Sequence, residues 1–185
     1  MHVEPGAAVD PAAADPAVLA DLVARARATG GRPVLLVDGG SGAGKSTLAG
    51  PLAAALHAQL VRLDDLYPGW DGLEAASRAV VTDVLRPERP GWRGWDWARE
   101  RPAGWHPLDP RAALVVEGSG ALSRAARERA DLAIWIDCRP EERRRRALAR
   151  DGDRYAPHWL RWAAQEAAFF ARERPDLLAD VVLAG

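Results

Sequence analysis

The stretch Val34-Leu35-Leu36-Val37-Asp38-Gly39-Gly40-Ser41-Gly42-Ala43-Gly44-Lys45-Ser46-Thr47-Leu48 decides how this 185-residue chain is read. Its β-branched and leucine run predicts a buried strand. A glycine-rich turn follows, ends in Lys45-Ser46-Thr47 and opens an apolar helical pattern. Gly39, Gly44, Lys45 and Ser46 match G-x-x-x-x-G-K-[ST] in the strand–loop–helix setting that this motif requires. Glycines let successive backbone N–H groups turn inward around phosphate oxygens, and the helix N-terminus adds partial positive charge. The loop from Gly39 through Gly40, Ser41, Gly42, Ala43, Gly44, Lys45 and Ser46 to Thr47 is therefore the expected phosphate cradle. Lys45 is a point cation for β- and γ-phosphates, and the Ser46 hydroxyl is a Mg2+ ligand. Composition sharpens the point, because Lys45 is the only lysine among 25 basic residues. Everywhere else arginine serves. Here a compact ammonium is kept where a planar guanidinium fits less well.

Working outward, the totals describe one soluble globular domain, 48% apolar and 28% charged. A net charge of −1 gives no general attraction to nucleic acid or to an anionic membrane, and neither is expected as a partner. Self-association as a homo-oligomer stays open. A single cysteine, Cys138, excludes an internal disulfide and fits a reducing cytoplasm. Residues 1–14 are Ala-, Pro- and acid-rich, lack a secretory pattern and are expected to form a mobile tail. Residues 15–185 are expected to form the single domain.

Within that domain Asp15-Pro16 reads as an N-cap and first helical residue, and Gly30-Gly31 stops the helix. Strands are expected at 33–38, 59–63, 113–117, 132–137 and 180–183, each joined to the next through helix. That pattern is a parallel, three-layer α/β sheet with right-handed crossovers. Asp64 and Asp65 follow the second strand, and Glu117 ends the third. The carboxyl edge is where open α/β sheets bind ligands, although the two aspartates could equally be turn or capping residues. Residues 87–111 hold four of the eight tryptophans and show no clear period. They read as an acceptor-site loop, as a loop that the tryptophans pin to the core, or as both. The helix over 140–150 carries Arg143 to Arg146 and Arg150. Four successive arginines cover every side of a helix, so some face solvent, while one or two can point at phosphate from a lid over about 143–156.

With these residues in place, the chain from about Arg32 onward resembles the uridine kinase-like branch of P-loop kinases, which includes the bacterial pantothenate kinases. Asp64-Asp65-Leu66-Tyr67 is similar to that family's Asp-Ser-Phe-Tyr motif, and Val115-Val116-Glu117-Gly118 to its Glu-Gly strand end. Ile134-Trp135-Ile136-Asp137, the arginine helix with Arg150-Asp151, and Ala179-Asp180-Val181-Val182 match its C-terminal third. The resemblance implies a P-loop NTP hydrolase fold with strand order 2-3-1-4-5, and ATP with Mg2+ as cofactors. It implies Asp64 as general base, and Ser46, Glu117 and Asp64 around the metal. Lys45, Arg146 and Arg150 act on the phosphates, with Arg154 in the same lid. Tyr67 and the triplet Trp95-Asp96-Trp97, similar to the family's Tyr-Asp-Phe, hold the acceptor. Two departures stand out. Ala98-Arg99-Glu100-Arg101 replaces the family's His and Arg after the triplet, and Asp153-Arg154-Tyr155-Ala156 replaces its lid Arg-Gly-Arg.

The resulting expectation is an ATP-dependent kinase acting on a hydroxyl of a nucleoside-like acceptor. The alternatives are a P-loop ATPase or nucleotide switch that works through a protein partner, and a kinase of pantothenate or a sugar acid. A GTPase Asn-Lys-x-Asp motif would need a second lysine, and an ABC-type Leu-Ser-Gly-Gly signature is absent.

Overall fold

The computed structural model describes residues 15–185. The expected N-terminal tail at 1–14 lies outside them. Helix α1 (Pro16–Ala28) opens on the Asp15 cap, whose carboxylate accepts from Ala17 N at 2.8 Å. Strand β1 (Val34–Gly39) is buried along its whole length, Asp38 included, as a strand covered on both faces must be. The phosphate loop follows and leads into α2 (Lys45–Leu56). Then come β2 (Gln59–Arg62), a short 3-10 turn at Leu63–Asp65, and α3 (Leu73–Ala79), which widens into a π turn at Val80–Val84. Strands β3 (Gly91–Asp96) and β4 (Arg101–Pro107) precede β5 (Leu114–Glu117), α4 (Arg124–Arg127) and β6 (Leu132–Asp137). The chain ends with α5 (Pro140–Asp151), α6 (Trp159–Glu173), α7 (Pro175–Leu178) and β7 (Val181–Ala184).

Among the described residues, five strands form a parallel sheet in the order β2-β5-β1-β6-β7. The expected order 2-3-1-4-5 does not stand as numbered, because the chain makes two strands that were not foreseen. Residues 87–111, expected to lack regular structure, contain an antiparallel hairpin of β3 and β4. Its register shifts between Arg93 and Trp95, and it stays outside the main sheet. Glycines blur the alternation of Gly-Trp-Arg-Gly-Trp-Asp. Pro102 and Pro107 in β4 are tolerable because a two-stranded ribbon is all edge. Stacking of Trp92 on His106, with centroids 4.0 Å apart, ties the two strands together.

Alternation along β1 separates two cores. Leu35 and Val37 pack with Leu22 and Ala26 of α1 and Leu48 and Leu52 of α2. Val34 and Leu36 face Leu73, Val80, Trp162 and Phe169. The sheet is therefore the middle of three layers. Its carboxyl edge gathers the phosphate loop, the turn after β2 and the end of β5.

Candidate functional site

The phosphate loop takes its shape from contacts that only glycine allows. Gly42 has φ +82°, a left-handed conformation that disfavours a side chain. A Cβ on Gly40 would run into the Arg143 guanidinium, and one on Gly42 into the Arg143 carbonyl. Arg143 thus lies directly against the loop. It bonds Glu166 at 2.8 Å, and Glu166 in turn accepts from Ser41 N at 2.6 Å, Ser119 Oγ at 2.9 Å and Trp162 Nε1 at 3.0 Å. Glu166 is only 1% exposed. This buried carboxylate on α6 joins the loop to α5 and to the end of β5.

Lys45 is buried, and its Nζ donates to Gly39 O at 2.9 Å, Gly40 O at 3.0 Å and Ser119 Oγ at 3.3 Å. Those bonds hold the ammonium at the loop. Asp38, the last side chain before the loop, is fully buried and accepts from Gly39 N at 2.6 Å, Gly120 N at 3.1 Å and Leu122 N at 2.8 Å. Burial pushes its carboxyl up to about 6, against the pull of those N–H donors and of Lys45.

One cavity of about 750 Å3 opens at this edge. Ser41, Gly42, Gly44, Lys45, Ser46 and Thr47 line its phosphate end. Asp64, Glu117, Arg150 and Arg154 line it further along, and Trp70, Trp97, Tyr155 and His158 form an aromatic wall. Ser46 Oγ donates to Glu117 Oε1 at 2.7 Å. Burial raises the Glu117 carboxyl, with Lys45 and the Ser46 bond pulling the other way. A carboxylate held above its usual range by burial is one that a cation would favour. No three His, Cys, Asp or Glu side chains cluster as a metal site among the described residues. A hydroxyl with one carboxylate still suits Mg2+, which takes one or two protein carboxylates together with substrate phosphates.

Asp64 is exposed at the cavity, and its carbonyl accepts from Trp97 Nε1 at 2.8 Å. Asp65 is not at the cavity. Burial, followed by the charge of Asp64, raises its carboxyl. Tyr67 lines the cavity, but its hydroxyl is committed to Ser119 O at 2.9 Å and its ring packs edge-on against Trp162 at 4.6 Å. Arg150 reaches the cavity while paired with Asp151 at 2.7 Å.

Three residues singled out from sequence are not brought to the cavity. Asp96 caps the hairpin turn, accepting from Ala98 N and Arg99 N at 3.1 Å each, and pairs with Arg99. Trp95 does not line the cavity; its ring packs near Gly69, and its indole N–H is buried without a partner. Arg146 bonds Glu142 at 2.6 Å within its own helix. Three residues of the phosphate loop, Gly39, Gly40 and Ala43, do not line the cavity either. Conversely, Trp70, Tyr155, His158, Ser119 and Glu166 were given no role, while Arg143, one of the four successive arginines, is the one that lies against the phosphate loop. The aromatic ones could have been suspected from the tryptophan count, since Trp70 stacks on His158 at 4.1 Å and on Tyr155 at 5.5 Å. The signal for Glu166 is its spacing, four residues after Trp162 and three before Phe169, which puts a glutamate on the apolar face of α6.

No protein-family model and no curated protein sequence matches the chain. Solved structures do. A candidate uridine kinase from Bacillus stearothermophilus is similar at a TM-score of 0.62 and 19% identity, over 89% of this chain and 96% of that one. A candidate fructose transport system kinase from Silicibacter sp. TM1040 is similar at 0.57 and 22% identity, over 89% and 98%. At these identities the likeness establishes a shared fold, α/β layers around a parallel sheet.

Proposed function

We propose that the protein is an ATP-dependent, Mg2+-requiring small-molecule kinase that transfers the γ-phosphoryl group to a hydroxyl of a nucleoside-like acceptor. One observation carries this reading. The phosphate loop, an exposed aspartate and an aromatic wall border a single cavity. A nucleotide and a second small molecule can therefore meet without leaving it. The likeness to structures described as kinases points the same way.

Phosphoryl transfer asks mainly for positioning and charge neutralisation. Lys45 and the loop N–H groups would hold the β- and γ-phosphates. Ser46 and Glu117 would hold Mg2+, which supplies further neutralisation of phosphate charge. Asp64, with its carboxylate open to the cavity, would take the proton from the acceptor hydroxyl. Arg150 and Arg154 reach the cavity from the lid side and would meet phosphate oxygens. Trp70, Trp97 and His158 offer flat faces to a planar base. The lone cysteine, Cys138, is in keeping with a cytoplasmic setting.

The test is ADP release from Mg-ATP across a panel of nucleosides, pantothenate and sugar acids, with a control lacking acceptor. Release that depends on a nucleoside supports the proposal. Release with pantothenate or a sugar acid keeps the kinase but changes its acceptor. Release that no acceptor stimulates means an ATPase or switch.

A further inference from the structure

Tyr155 occupies the lid segment where the resembling family carries Arg-Gly-Arg. Its ring is locked in place. It stacks on Trp70 at 5.5 Å and meets Trp159 edge-on at 5.6 Å, and the residue is 3% exposed. Its hydroxyl nonetheless bonds nothing. Among the described residues three other buried side-chain polar atoms lack a partner, in Arg32, Trp95 and Arg146. None of those residues lines the cavity, whereas Tyr155 does. A buried hydroxyl without a partner is unfavourable, so its retention calls for a reason.

The neighbour supplies one. Tyr155 Oη lies beside the Ser41 side chain, without meeting hydrogen-bond geometry in this state. Ser41 is half-buried in the phosphate loop and lines the cavity. Its N–H is already taken by Glu166 and its carbonyl faces Arg143. Its hydroxyl has no protein partner among the described residues. The two hydroxyls are therefore arranged in depth, with Tyr155 behind and Ser41 at the cavity surface. Burial raises the Tyr155 hydroxyl, and the charges of Glu166 and Asp64 add to that, so the phenol keeps its proton and can donate it.

We infer that Tyr155 is a positioning residue for Ser41. It donates its proton to Ser41 Oγ, so that the Ser41 hydroxyl turns its own proton toward the terminal phosphoryl group of a bound nucleoside triphosphate. A hydroxyl has one hydrogen, and filling a lone pair of Ser41 Oγ from behind leaves that hydrogen for the ligand. Ser41 and Tyr155 share the cavity with Asp64 and Arg150. Under the proposed reaction that is where the transferred group lies. No covalent bond to either residue forms. The inference rests on the kinase reading.

The experiment is a double-mutant cycle of Tyr155→Phe, Ser41→Ala and the pair. It is read by calorimetric binding of Mg-ADP and of a non-hydrolysable Mg-ATP analogue, and by steady-state kinetics. Tyr155→Phe keeps the ring and its stacking, so its melting temperature should equal or exceed that of wild type. Each single variant should bind the triphosphate analogue about tenfold more weakly, as expected for a hydrogen bond to a charged group. Each should lower kcat with little change in acceptor KM, bind Mg-ADP as wild type does, and cost no more in combination than alone. Additive losses, an unchanged triphosphate affinity in Tyr155→Phe, or an equal loss for both nucleotides would overturn the inference. A wild-type protein that binds neither nucleotide removes the kinase reading itself. A wild type that distinguishes them while Tyr155→Phe does so equally well removes only the role of Tyr155.

Discussion

Asp64 and Asp38 are both carboxylates at the carboxyl edge of the sheet, and their surroundings give them opposite work. Asp64 is exposed to the cavity, where it can accept a proton. Under the proposed reaction Asp64→Asn keeps the side-chain shape and removes the proposed base, so nucleotide binding should persist while kcat falls about 10²–10⁴-fold. Normal turnover in that variant would place the base elsewhere. Asp38 is sealed in, and its carboxyl is raised from 3.8 to about 6. The sign follows from which state holds the proton. Between pH 4 and 6 the folded protein binds it and the unfolded chain does not, so this group's contribution to stability falls as pH rises through that window. Over about two pH units the loss is on the order of 3 kcal/mol. Asp38→Asn removes this dependence. The stability advantage of wild type over the variant, measured by urea unfolding, should therefore shrink from pH 4 to pH 7. A constant gap would mean that Asp38 stays ionised when folded.

At the scale of elements, the phosphate loop is held by helices as much as by its own glycines. Arg143 of α5 and Glu166 of α6 meet at 2.8 Å on the loop, with 14% and 2% of their side chains exposed. Arg143→Ala leaves Glu166 a buried carboxylate without its cation, and removal of one partner of such a pair costs about 3–5 kcal/mol. A urea-unfolding loss below about 1 kcal/mol would show that the Ser41, Ser119 and Trp162 donors suffice without it. The same comparison marks where sequence stops informing. The five sheet strands and the phosphate loop are legible because local signals agree: apolar runs, glycine punctuation, and carboxylates at strand ends. The hairpin of β3 and β4 is not, because Gly94 and Pro102 weaken the period-2 signal and the pairing has no core beneath both faces. Glu166 is passed over because a glutamate is expected at the surface, although its spacing from Trp159, Trp162 and Phe169 puts it on the apolar face of α6. Only the approach of Ser41, 125 positions away in the chain, makes it a buried partner. Asp96 misleads for a related reason. An aspartate between two tryptophans suggests a ligand contact, yet the tight turn that follows needs its carboxylate to cap Ala98 and Arg99.

In the whole molecule the two ends of the cavity belong to different parts of the chain. The phosphate end is built on β1 and α2, inside the sheet. The aromatic end is built from the turn after β2, the hairpin, and the start of α6. Within the aromatic end, Trp97 Nε1 bonds Asp64 O, Gln165 Nε2 bonds Trp70 O at 2.7 Å and Arg161 pairs with Asp71. The crossings to the phosphate end run through Glu166 on Ser41 N and Tyr67 on Ser119 O. Trp97 takes part in neither crossing, so a change there should separate from changes at the phosphate end. A saturating Mg-ATP complex, at about 100 times its Kd, adds about 2.7 kcal/mol, which raises the melting temperature of a chain this long by about 5–10 °C. Lys45→Ala should abolish that rise, since the loop loses its only lysine. Trp97→Ala should keep it, because Trp97 follows β3 at the hairpin turn, bonded to Asp64 O and packed on Trp70. Its loss should instead raise the acceptor KM about 2–10-fold, the worth of one aromatic contact, while the KM for ATP stays near wild type. Because Trp97 also braces Asp64 through its indole N–H, Trp97→Phe is the companion variant. It restores a ring without that bond, so acceptor KM should recover while any deficit in kcat remains. If Trp97→Ala raises both KM values equally, or erases the thermal shift with ATP, the hairpin supports the fold of the whole edge and the aromatic wall is packing alone.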